Sequence, residues 1–193
     1  MSTADPVLIQ VPERIETERL LLLAPRVGLG QALNAAICES IEELRPWMPW
    51  AQVEPTVEES EAIVRRQLAR FVAREDLVFQ IYRRNADGSA GQLLGGTGLH
   101  RFDWAVRRFE IGYWIRSSAQ GQGYVSEAVR ALAAMAFDAL KARRVEIRMD
   151  SNNRRSRAVA ERCGFEFEGV LRRDALSPLG EPRDTCVYSR IAG

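Results

Sequence analysis

The sequence predicts one α/β (α+β) domain built on a mixed, mostly antiparallel, twisted sheet. Short apolar strands follow one another as a meander, and only one late stretch reads strand–helix–strand, the pattern of a parallel crossover. The size agrees: 193 residues, 46% hydrophobic and 27% charged, suit one core.

Taken in order, residues 1–16 read as a loose leader. They lack the basic-then-apolar pattern of a secretory signal. The domain is expected over 17–193. Residues 19–25 (RLLLLAP) read as a short buried strand stopped by Pro25. A helix is expected over 29–40. Arg45-Pro46-Trp47-Met48-Pro49-Trp50 must be a loop, because two prolines interrupt it. Thr56 suits the cap of a second helix, with Glu58, Glu59 and Glu61 near its positive end. Ile63, Leu68 and Phe71 carry that helix toward Arg74.

A hairpin follows, with strands at 77–83 and 92–100 around a Gly- and Asp-containing turn. Residues 107–115 form the next strand, with Phe109, Ile111, Tyr113 and Ile115 on one face. Beyond the small-residue segment 117–123, Val125, Ala128, Val129, Leu132, Met135, Ala136 and Leu140 recur at helical spacing. A strand at 145–149 and a short helix at 154–163 come next, the helix ended by Gly164 as a left-handed cap. Residues 165–171 and 186–191 read as a closing strand pair.

Composition excludes several functions. The net charge is +1, so no general basic field exists for nucleic acid. No apolar stretch approaches the ~20 residues that span a bilayer. Three widely separated cysteines, Cys38, Cys163 and Cys186, suggest neither a disulfide framework nor a zinc site. They read as free thiols of a cytoplasmic protein. With one histidine, no His-rich metal site is expected. Of 27 basic residues only Lys141 is a lysine, which reads first as a codon bias and second as selection for phosphate contacts.

The most informative stretch is Tyr113 to Tyr124, YWIRSSAQGQGY, a strand running into a glycine loop from which a long helix starts. A helix start presents unpaired N–H groups and a positive dipole end, and glycines let an anion approach them. A nucleotide P-loop would need a lysine that is absent here. A dinucleotide fingerprint would need Gly or Ala where Ser126 stands, and would follow the first strand rather than the fourth. Alone, the two glycines could still be an ordinary tight turn.

Glu110-Ile111-Gly112-Tyr113-Trp114, Gln120-Gly121-Gln122-Gly123-Tyr124 and Ser126-Glu127-Ala128 together resemble the acetyl-CoA-binding core of the GNAT N-acetyltransferases, RimJ/RimL branch. Glu18-Arg19-Leu20-Leu21-Leu22, Asn153 with Ser156, Cys163-Gly164-Phe165 and Glu168-Gly169 extend the similarity from Thr17 to Ile191. The resemblance implies a GNAT fold of about seven strands and about four helices, splayed between its fourth and fifth strands. It implies acetyl-CoA as cosubstrate, no metal, an amine acceptor such as a protein N-terminus, and a homodimer. By the same analogy, backbone groups of Tyr113, Trp114 and Ile115 bond the pantetheine. Backbone N–H groups of Gln120, Gly121, Gln122, Gly123, Tyr124 and Val125 hold the pyrophosphate, and Asn153 reaches in from the fifth-strand side. Ser118 stands where the superfamily usually has Gln or Arg, which leaves the binding to backbone donors.

Three residues are candidates for proton transfer. Glu110 lies in an otherwise apolar strand on the face of Gly112 and Trp114, where burial would raise its pKa and suit it as general base. A cross-strand ion pair with an arginine is the other reading of Glu110. Ser156 shares a helical stripe with Val159, Ala160 and Cys163. The resemblance makes it the donor to the departing thiolate, while an early-turn serine bonding its own helix is the alternative. The related branch also places a glutamate base beyond its sixth strand. Ala175 aligns there, with Asp174 beside it as a reserve base.

His100, the only imidazole, reads first as structural. Trp47, Trp50 and Trp104 would line an acceptor pocket or pack in the core. Arg154, Arg155 and Arg157 would meet a 3′-phosphate or form a solvated face. The sequence leaves open transfer to a small amine, and a non-catalytic acyl-CoA-binding module.

Overall fold

The computed structural model describes residues 5–193, so residues 1–4 of the expected leader lie outside it. Eight strands form one sheet in the order β1-β2-β3-β4-β5-β6-β8-β7. They are β1 (Arg14–Glu16), β2 (Leu20–Leu23), β3 (Leu77–Arg84), β4 (Ala90–Asp103), β5 (Arg108–Ile115), β6 (Arg144–Asp150), β7 (Glu166–Leu176) and β8 (Pro182–Ile191). The helices are α1 (Gly30–Leu44), α2 (Val57–Ala73), α3 (Tyr124–Asp138) and α4 (Arg154–Arg162).

Every neighbouring pair is antiparallel except β5–β6, which α3 connects. Those two strands pair only where Arg108–Glu110 faces Arg144–Glu146. Beyond Glu110 they part, and the outer edge of β5 from Ile111 to Ile115 has no strand partner among the described residues. This opening positions the site.

Both sheet faces are covered, and the leucine run of β2 shows how. Leu20 and Leu22 join the core beneath α3, together with Phe79, Leu99, Phe109, Val129 and Leu132. Leu21 points the other way, into a second core with Leu33, Ile37, Ile41 and Val64 of α1 and α2. Strand side chains alternate between faces, so a strand buried on both sides must be apolar throughout. Each such buried leucine contributes roughly 2 kcal/mol. Thr56 caps α2 in a reciprocal capping box with Glu59. Gly164, at φ +74°, follows α4 in the left-handed conformation expected of it.

Four boundaries differ from the sequence reading. The leader is not loose throughout: Val11 is buried and Arg14–Glu16 pairs with β2. This eighth strand is short, and its exposed ends are charged, so it gave no apolar alternation. Helix α1 runs on to Leu44 because Ile41 and Leu44 extend its buried stripe. Ser40 lies inside the helix, its buried hydroxyl donating to Ala36 O at 2.8 Å. Strands β7 and β8 extend well past the expected pair, through residues such as Arg172, Arg173 and Asp174 on an exposed edge. No helix among the described residues is long and apolar enough to cross a membrane.

Candidate active site

The glycine loop is seated from two sides. Glu127, in the first turn of α3, accepts from Thr17 Oγ1 at 2.6 Å and from Arg19 Nε at 2.7 Å. Arg19 also donates to Gln122 O and lies over the Tyr124 ring. From the other side, α1 takes up two loop amides: Ser117 N–H donates to Ser40 Oγ and Ser118 N–H to Glu39, each at 3.0 Å. Glu39 also pairs with the buried Arg116 at 3.0 Å. These bonds draw the carboxyl of Glu39 below its usual range, the Ser118 contacts first and Arg116 last.

Between these clamps, backbone N–H groups from Gly121 to Ser126 find no acceptor among the described residues. Gly121 and Gly123 have φ of +73° and +80°, the left-handed region that aims successive amides to one side. The N-terminal end of α3 adds its positive dipole. An anion cradle results, made of main chain alone. A cleft of about 730 Å³ runs from it along the open edge of β5 to α4. Tyr113, Trp114, Ile115, Gln120, Gly121, Gly123, Tyr124, Val125 and Asn153 line it, and the Gln122 side chain turns back onto Ser118 O. Its volume and open strand edge fit a pantetheine arm, and its loop fits a diphosphate.

Asn153 uses its Oδ1 to cap α4 at Ser156 N–H, 3.0 Å away. Arg154 and Arg155 stand at the rim, whereas Arg157 bonds the Tyr188 hydroxyl instead. Trp47 lines the same cleft. Where β5 faces α4, the Tyr113 hydroxyl lies 2.8 Å from Ser156 Oγ. Burial pushes the Tyr113 hydroxyl pKa well up, so it stays protonated. The sequence reading used only the Tyr113 backbone and missed its side chain. The signal lay in its alternation with Phe109 and Ile111, which turns it toward α4.

A second chamber of about 370 Å³ lies on the opposite face, under α1 and α2. It shares Met48, Tyr113 and Trp114 with the first cleft. Its walls are apolar (Leu33, Ile37, Ile63, Val78), with Gln67, Gln80, Thr97 and His100 as polar groups. Trp50 lines it, half exposed, edge-on to Trp114 at 5.8 Å. Bare backbone at Gly96 makes room for the indole: a Cβ there would sit 2.8 Å from Trp114 Nε1.

Besides Gln122, three expected site residues line neither cleft. Glu110 sits where β5 and β6 are still paired, before the opening, on a sheet face with Arg101 at 3.5 Å. Burial raises its pKa, against the lowering effect of Arg101 and Arg148. Asp174 is held by Arg148 at 2.8 Å on the far side of β6. Trp104 packs with Phe102 and Phe109 at the end of the β4–β5 hairpin and donates to Arg74 O. Among the described residues no group of three or more His, Cys, Asp and Glu could hold a metal ion.

The chain is similar to known proteins in sequence and fold. The chain is 42% identical over 101 residues to a putative ribosomal N-acetyltransferase, YdaF, of Bacillus subtilis. That match spans 52% of this chain and only 55% of the relative. The ribosomal-protein-serine acetyltransferase of Escherichia coli is 28% identical over 176 residues, 91% of this chain and 94% of its own. A structure of RimL, a ribosomal L7/L12 alpha-N-protein acetyltransferase in complex with coenzyme A, superposes with a TM-score of 0.84. It is 25% identical and covers 93% of this chain and 98% of its own. Residues 19–166, from the Arg19 clamp through both clefts to the start of β7, match the acetyltransferase (GNAT) domain, and the chain belongs to that family.

Proposed function

We propose that this chain transfers an acetyl group from acetyl-CoA to a primary amine by direct attack in a ternary complex, with a protein N-terminal amine as acceptor. The observation that carries this is the meeting of two clefts at Tyr113 and Trp114. One is built for a diphosphate and a narrow arm, and the other for a small uncharged group. Acetyl-CoA, seated in the first, supplies the thioester.

The residues of the chain then do three things. The amides of Gly121 to Ser126 and the rim arginines hold the anionic end, which fixes the arm along β5. Unpaired N–H groups on the open edge of β5 polarise the carbonyl. The Tyr113–Ser156 hydroxyl pair, 2.8 Å apart, hands a proton to the departing sulfur.

The lining of the second chamber supports the acceptor class. Among the described residues no carboxylate lines it, and Asp76 behind His100 is already paired with that ring and with Arg70. A polyamine or aminoglycoside would therefore bring its extra charges to a wall with no free counter-charge for them. A peptide N-terminus presents one amine on a short body with amide groups, which Gln67 and Gln80 can bond. The names of the relatives agree with this choice. We also place the protein in the cytoplasm, because its cysteines are free thiols.

The test mixes protein, acetyl-CoA and a panel of free-amine peptides, polyamines and aminoglycosides. Released thiol and product mass are followed. Peptide-dependent release with acetylation at the α-amine is expected. Tight acetyl-CoA binding with no acceptor-dependent release would leave a binding module instead, and turnover confined to polyamines or aminoglycosides would replace the acceptor.

A further inference from the structure

We propose that His100, held by Asp76, takes the proton from the acceptor amine. The inference rests on the acetyl transfer proposed above and adds the group that accepts its proton.

The imidazole lies in the wall of the second chamber. Its Nδ1 is 2.5 Å from Asp76 Oδ1, and the Asp76 side chain is only 14% exposed. That contact leaves Nε2 as the nitrogen free to accept. The ring is also fixed from below. A Cβ at Gly112 would come within 2.9 Å of its Cδ2 and Nε2, and a Cβ at Gly98 within 3.1 Å of its Cε1. Two bare backbone positions therefore let the ring lie against the sheet, with Nε2 over β5, two residues before Trp114 and next to Tyr113.

No other polar side chain lining the chamber does this work, since the Tyr113 hydroxyl lies against Ser156 on the α4 side. Gln67, Gln80 and Thr97 have no basic form near neutrality. Glu110 is the cross-strand neighbour of His100 but lines neither cleft. The charged groups around the ring are Asp76 before β3, Arg70 of α2 at 3.6 Å from Asp76, Glu110 of β5, and Arg101 of β4 beside Glu110.

The step balances without a further reactant. The amine nitrogen bonds the acetyl carbon as the carbon–sulfur bond breaks. The amine proton passes to Nε2, directly or through one water, and a hydroxyl proton from the Tyr113–Ser156 pair goes to sulfur. The imidazolium returns its proton to solvent, and the hydroxyl pair regains one. Asp76 is a positioning residue: it fixes the Nδ1–H tautomer and stabilises the cation that forms.

A single histidine makes the test direct, because its ring ¹⁵N signals need no assignment. In the wild-type protein the neutral ring is expected as the Nδ1–H tautomer, and Asp76→Asn should mix the tautomers. His100→Gln should lower kcat on the order of 100-fold and Asp76→Asn about tenfold. Acetyl-CoA affinity, read by calorimetry, should stay within about twofold for both, which also shows that they fold. The alkaline-rising limb of kcat/KM should coincide with the ring titration seen by NMR and vanish in His100→Gln.

An Nε2–H ring, a His100→Gln variant with more than about half the wild-type kcat, or loss of turnover in Glu110→Gln but not in His100→Gln would each overturn the assignment. Wild-type protein that neither binds acetyl-CoA nor releases thiol would instead remove the acetyl-transfer reading itself.

Discussion

The two clefts that meet at Trp114 are made of different material. The cleft proposed for the coenzyme offers main chain: loop amides, a helix end and an unpaired strand edge. The chamber proposed for the acceptor is made of side chains from α1, α2, β3, β4 and β5. A diphosphate is the same in every substrate pair, so a rigid backbone cradle suffices for it. An acceptor differs from enzyme to enzyme, and side chains can be exchanged without disturbing the sheet.

That contrast can be broken, beginning with the largest effect. Gly123→Val puts a β-branched residue at φ +80° with its Cβ about 3.5 Å from Arg19 Nη2, which strains the loop and presses on the clamp that seats it. Acetyl-CoA affinity should fall on the order of 100-fold in calorimetry. An unaltered affinity would mean that the loop is not the cradle. Trp50→Ala removes the edge contact with Trp114 on the acceptor side only. Acceptor KM should rise about tenfold with acetyl-CoA affinity within about twofold. Equal losses of both would show that the clefts are not separable.

Tyr113→Phe tests the border between them. It leaves Ser156 in place, so kcat should drop only ~3–10-fold, with both binding constants kept. Steady-state kinetics with both ligands varied reads this. The smallest effect belongs to a site outside both clefts. Arg144 and Ser189 hold the Glu168 carboxyl down to about 2, from an ordinary 4.5. A carboxyl more acidic in the folded than in the unfolded chain contributes fully above pH 4.5, and its contribution fades as pH falls toward 2. Glu168→Gln should lower Tm at neutral pH by about 1–3 °C and flatten the acid limb between those values, since exposure screens the pair. Thermal melts across pH measure it, with Kd and KM unchanged.

The same contrast governs what the sequence made legible. The cradle needs glycine where φ is positive and a helix directly after, so Gly121 and Gly123 announced it by spacing. The meander, the crossover and the caps at Thr56 and Gly164 followed from local patterns in the same way. The acceptor chamber left no such trace. Asp76 and His100 stand 24 positions apart and meet only because β3 and β4 pair. Glu110 looked catalytic because an acid in an apolar strand suggests a tuned pKa. Its burial is real, but the parting of β5 from β6 begins one residue later, a distance that strand alternation cannot reveal. Trp104 and Trp50 read alike as loop aromatics, and only the packing of Phe102 and Phe109 separates them.

Helix α1 has a further consequence. Its Glu39 and Ser40 grip the glycine loop, while Leu33 and Ile37, within two turns before them, wall the second chamber. One rod therefore backs both the loop and the chamber, so ligands at either end lean on the same wall, and whatever one does to the affinity of the other is returned in equal measure.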